Sequence, residues 1–206
     1  MKKDFKPCIR VLELTVVLVV TIITAWQFVE CPLHEIGHLI YLKLIGTLDL
    51  PNIIVSVTPF GQNSSVIFSA EGGLLIARSE WAIFSIAGIV LPYIVWLILI
   101  ASYKKAKNIF YSFMVFSYSL VMVGELIVFN FSQDLTLLIE NSGTNPIIVG
   151  LSTIILCIPI LYCLVKKLGP DFYSFVFLFL EDDSPFLVKL LPRWNPTPLV
   201  YNKNPH

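Results

Sequence analysis

Charge is scarce in this sequence: 14% of its 206 residues are Asp, Glu, Lys or Arg, and the two signs cancel to a formal net charge of zero. With no basic excess and a pI near 6.8, nothing points to nucleic acid as a partner. Cysteine is equally sparse. Cys8, Cys31, Cys157 and Cys163 lack C-x-x-C spacing, so they read as small buried apolar residues rather than as a ligand set. No internal repeat is evident. Histidine is rarer still, at three residues.

Apolar residues fill the space that charge leaves. At 56% hydrophobic and a mean hydropathy of +0.81, the chain carries more apolar surface than a water-soluble domain of this length can bury. It therefore reads as an all-α polytopic membrane protein, with the lipid bilayer as solvent. Four stretches are long enough to cross about 30 Å of hydrocarbon: Val11 to Val29, Trp81 to Ser102, Ile109 to Phe131, and Ile147 to Val165. The first follows Lys2, Lys3, Lys6 and Arg10, but it is too long for a signal-peptide core and has no small-x-small cleavage site, so it reads as a retained span.

Basic residues collect on the cytoplasmic side of membrane proteins. The clusters here are the N-terminus, Lys104 with Lys105 and Lys107, and Lys166 with Lys167. Four spans put all three inside, which predicts a multi-pass protein of the cell membrane with both termini cytoplasmic. The first and third spans then end on one leaflet, the outer one, bringing His34 and Asp134 to the same side.

Two of the three histidines stand in His34-Glu35-Ile36-Gly37-His38. On a helix of 3.6 residues per turn, His34 and His38 share one face, where two imidazoles can grip one zinc ion while Glu35 reaches its water. The flanking residues Leu33, Ile36, Leu39, Ile40, Leu42, Leu44 and Ile45 make that helix apolar almost all round. In such a setting an unpaired His or Glu is costly, and ionisable residues mark functional sites. The segment from Pro32 to Gly46 is short for a crossing, so a motif helix that dips into the membrane without traversing it is expected.

Catalytic zinc takes three protein ligands and keeps one position open. Asp134, just beyond the third span, is the first choice for the third ligand, and Asn130, one turn earlier, is placed to steady it by hydrogen bonding. Glu125, inside the third span, competes for the same role. Glu13 lies near the opposite side, and Glu30 and Glu71 read as interfacial charges. Glu35 is then the general base and not a ligand.

Between the motif helix and the second span, Ile53-Ile54-Val55-Ser56-Val57 and Ser65-Val66-Ile67-Phe68-Ser69 flank a Pro/Gly/Asn turn and predict a β-hairpin insert. Its edge could pair with an extended substrate. Ala87-Gly88 in the second span would let the motif helix approach closely, and Pro92 would kink that span. Phe172 to Leu180 is too short to span and reads as interfacial. The domain division is thus one membrane domain over 1–180 and a Pro-rich polar tail over 181–206.

The run Pro32-Leu33-His34-Glu35-Ile36-Gly37-His38, with Gly46, the hairpin-like insert, Gly72-Gly73 and Ala87-Gly88, resembles the site-2 protease family of intramembrane zinc metallopeptidases, particularly its short bacterial-type members. The resemblance covers about Trp26 to Asp134. It implies cleavage of a membrane protein substrate in or beside a transmembrane segment, with zinc on His34, His38 and Asp134 and Glu35 as base. Asp134 sits in Ser132-Gln133-Asp134-Leu135, where that family carries Leu-Asp-Gly. Two other readings stand beside it: a prenyl-protein-processing type of zinc peptidase, with Glu125 as third ligand, and a non-catalytic membrane scaffold that retains a metal site.

Overall fold

The computed structural model describes residues 6–46, 53–56, 65–68, 78–103 and 109–181. Glu71 to Gly73, the lysines at 104, 105 and 107, and the 182–206 part of the Pro-rich tail lie outside them. Among the described residues, four helical stretches are long and apolar enough to cross a membrane: Ile9–Leu44, Ser79–Ser102, Tyr111–Phe129 and Pro146–Val176. The chain is a multi-pass membrane protein by that measure. Its apolar exterior agrees, with Leu12, Ile98, Ile154, Ile155 and Ile158 each about 60% exposed, as lipid-facing positions should be.

The first stretch corrects the expected dipping motif helix. Helix α1 (Lys6–Ala25) runs without a break through a π-helical turn at Trp26–Glu30 into α2 (Cys31–Leu44), which carries the motif. The 36 residues from Ile9 to Leu44 make a rod of about 54 Å, against about 30 Å of hydrocarbon. Pro32 explains the wide turn. A proline ring clashes with the carbonyl four residues back, here that of Phe28, and the ladder relaxes so that the Cys31 N–H donates to the Trp26 carbonyl, five residues back.

The same device recurs. Helix α6 (Pro146–Cys163) passes through a π turn at Leu164–Leu168 into α7 (Gly169–Glu181), and the Gly169 N–H donates to the Leu164 carbonyl just before Pro170. Phe172 to Leu180 is therefore a helical continuation of the last stretch rather than a separate interfacial segment. Phe172 stacks on Phe116, ring centroids 4.2 Å apart, which seats α7 on α4 (Ile109–Phe129).

Helix α3 (Arg78–Ser102) lies against α2. Trp96, 1% exposed, donates from Nε1 to the Ser119 hydroxyl of α4 at 3.0 Å, so its one polar atom is satisfied in the core. At the far end of α3, the Tyr103 hydroxyl donates to the Asp171 carboxylate and lies 3.0 Å from the Ser112 hydroxyl. Burial, and next the Asp171 carboxylate, push the Tyr103 phenol above its ordinary pKa. Lys167 donates to the Ile100 carbonyl beside them.

A short helix, α5 (Gln133–Ser142), follows α4 after a tight turn and folds back onto α3. Ser132 caps it, its hydroxyl accepting from the Leu135 N–H, and Gly143 ends it at φ 67°. Strands β1 (Ile53–Ser56) and β2 (Ser65–Phe68) pair antiparallel, Ile53 opposite Phe68 and Ser56 opposite Ser65. The turn expected between them lies outside the described residues, and two strands of four residues are not a stable unit alone.

Candidate metal centre

Two close approaches build the site. Gly37 of α2 faces the Ala87 carbonyl of α3 so tightly that a Cβ there would collide with it. A Cβ on Gly88 would lie 2.6 Å from Nε2 of both His34 and His38. Small residues at these positions let two helices pack backbone to backbone and bring the two imidazoles against the α3 backbone at Gly88. Gly88 is ten residues from the start of α3 and His34 ten from the end of α2, so the site is set about 15 Å inside the helix ends.

His34, His38 and Asp134, one hundred residues apart in sequence, meet there. His34 Nε2 is 3.1 Å from Asp134 Oδ2 and 3.1 Å from His38 Nε2, and His38 Nε2 is 3.7 Å from Asp134 Oδ2. Ligand atoms about 2.05 Å from a tetrahedral ion are about 3.3 Å apart, so the three separations bracket the spacing of a tetrahedral face. The fold-back of α5 makes the match possible: the Ser132 cap starts that helix two residues before Asp134 and points its first turn at the imidazoles.

Tautomers argue in the same direction. His38 Nδ1 is 2.8 Å from the Phe84 carbonyl, which only accepts, so Nδ1 carries the proton and a neutral ring presents a lone pair at Nε2. Phe84 also stacks on this ring at 4.3 Å. His34 Nδ1 lies 3.2 Å from Glu125 Oε1, which favours the same tautomer. Two imidazole lone pairs and a carboxylate oxygen thus converge with no donor among them, an arrangement that a cation relieves.

Glu35 is half-buried and within electrostatic reach of His34, His38 and Asp134. Glu125 lies on the opposite edge of the His34 ring from Asp134, at Nδ1. Asn130 does not steady Asp134. It sits in the turn after α4 and its side chain donates to the Leu126 carbonyl and to the Thr153 hydroxyl of α6.

Glu30 is the residue that sequence reasoning misplaced. It is 1% exposed, not interfacial, with Oε1 lacking any hydrogen-bond partner. Glu30, His34 and His38 recur every four residues, and that spacing alone puts them on one helix face. Cys31, Cys157 and Cys163 are free thiols. No protein-family model, curated protein or solved structure matches the chain.

Proposed function

We propose that this chain is an intramembrane zinc metalloprotease that hydrolyses a peptide bond in or next to a transmembrane segment of another protein. The observation that carries the reading is the convergence of three lone-pair donors at tetrahedral spacing, beside a carboxylate that none of them uses. His34, His38 and Asp134 would hold the ion, and zinc there supplies Lewis acidity to a carbonyl oxygen and to water.

The remaining chemistry belongs to the chain. Glu35 accepts a proton from the attacking water as its oxygen bonds the carbonyl carbon, then delivers that proton to the amine nitrogen as the C–N bond breaks. The apolar helices around the site exclude bulk water, which strengthens each of these charge interactions. The β1–β2 edge offers main-chain hydrogen bonds to a substrate unwound for cleavage. Both termini and the Lys166–Lys167 end of the bundle are assigned to the cytoplasm of a cell membrane, as basic residues favour.

The test pairs metal content with cleavage of a model transmembrane peptide by purified full-length protein in detergent. Glu35→Gln should retain wild-type zinc and lose cleavage. Full activity in that variant would remove the base, and a wild type that holds no zinc after chelation and reloading would remove the centre.

A further inference from the structure

The Glu30–Glu125 pair has no part in the scheme above, although placing one fully buried and one largely covered carboxyl group in an apolar bundle is expensive unless they hold something. Glu125 Oε1 is 3.2 Å from His34 Nδ1, close enough for a hydrogen bond but not aligned for one, since Nδ1 has no partner by angle. Glu30, one helical turn before His34 and buried to 1% exposure, leaves its Oε1 without a hydrogen-bond partner. One ligand atom from each of Glu30, His34 and Glu125 falls within 4.8 Å of the others. Both carboxyl groups thus lie beside His34, with Glu125 on its Nδ1 edge, the edge turned away from Asp134.

We propose that Glu125 is the positioning residue of His34 and that Glu30 holds Glu125 in place, so that the metal centre extends one layer deeper than its three ligands. The inference rests on the metal-centre reading above. The physical reason is that an imidazole ligand whose helix is fixed and whose χ1 rotamer is set can still turn about its Cβ–Cγ bond. His38 has that freedom removed by the Phe84 carbonyl and ring. For His34, the group on the Nδ1 side is the Glu125 carboxylate, and an acceptor there both fixes the tautomer and raises the basicity of Nε2. Glu125 is itself on a long side chain in an apolar helix, and Glu30 is the buried polar group that limits where it can go.

A second cation among Glu30, His34 and Glu125 is the rival use of the same atoms. It would require His34 to give up its Nδ1 proton and bridge two ions, leaving neither imidazole edge for the hydrogen bond that orients the ring.

The experiment is Co2+ titration of the full-length protein in detergent, read by the visible spectrum and by stoichiometry, alongside thermal unfolding of the metal-free form. Wild type should bind one Co2+ per chain. Glu125→Leu and Glu30→Leu should each weaken binding, Glu125→Leu by about 10- to 100-fold, with an altered spectrum and with unfolding at the same or higher temperature. That split separates positioning from packing, because loss of a packing residue would lower stability and affinity together. Glu125→Gln, which keeps an acceptor and the side-chain shape, should recover part of the affinity, and it serves as the variant if the leucine forms do not fold. Unchanged affinity and spectrum in both leucine variants would overturn the positioning role. So would two Co2+ in wild type falling to one in Glu30→Leu, which would establish the second-cation site instead. A wild type that binds no Co2+ sinks the metal centre itself, and that result is distinct from a wild type that binds and variants that do not differ.

Discussion

Replacing Gly88 by alanine is the sharpest test of how α3 meets the motif helix. The added methyl carbon would stand 2.6 Å from both Nε2 atoms and 2.7 Å from His34 Cε1, where ordinary contact begins at 3.4 Å. Each ring would have to retreat by about 0.8 Å, against a tolerance of about 0.2 Å in metal–ligand distance. Neither ring is free to do so: His38 is bonded to and stacked on Phe84, and His34 is hemmed in by Asp134 and Glu125. Displacements of this size cost on the order of 100-fold at a constrained site, so zinc affinity should fall by about that factor. Stability should change little, because overpacking of about 1–3 kcal/mol is partly offset by the roughly 1 kcal/mol that alanine gains over glycine inside a helix. Gly124→Ala in α4 is the control, as nothing lies within 4 Å of its added carbon; it should bind zinc as wild type does. Metal content after dialysis against a graded chelator series measures both. Wild-type zinc retention in Gly88→Ala would mean that the imidazoles do not face the α3 backbone, and the geometry of the centre would have to be rebuilt.

Three further outcomes are expected. Asp134→Ala should lose tight zinc binding while Asn130→Ala keeps it, since Asn130 bonds Thr153 rather than the site; equal loss in both would reverse that assignment. Ser132→Ala removes the cap that launches α5 and should cost about 1 kcal/mol in thermal unfolding, with a smaller drop in zinc affinity than Asp134→Ala; no effect on either readout would argue that α5 does not depend on its cap. Tyr103→Phe strips the hydroxyl from buried Asp171 and should destabilise the bundle by about 1–3 kcal/mol without changing zinc content, so altered metal binding there would count against separate ends of the molecule.

Much of the site could be read from spacing. His34 and His38 share a helix face by arithmetic, and counting spans put Asp134 on their side of the membrane. The helical architecture followed from apolar run lengths, but the boundaries between runs did not. Pro32 and Pro170 look like breaks in a sequence, and each is absorbed by one wide turn, so that two expected segments are continuations of their neighbours. Glu30 was misjudged for a related reason: at the end of an apolar run, a carboxylate resembles an interfacial charge until the helix is known to continue. Which ring edge Glu125 addresses depends on the rotation of α4 against α2, a tertiary property that no local pattern carries.

The wide turn at Trp26–Glu30 amounts to one surplus residue in an otherwise regular rod. It rotates everything before it by about 100° relative to the imidazole-bearing segment. The lipid-facing stripe of Leu12, Val16 and Val20 is therefore set independently of the stripe of Glu30, His34 and His38. The N-terminal half of the rod thus packs in a rotation of its own, with Ile22 and Ala25 in the core, and deleting a single residue at the junction would turn that packing face away from α4 while leaving the spacing of His34 and His38 unchanged.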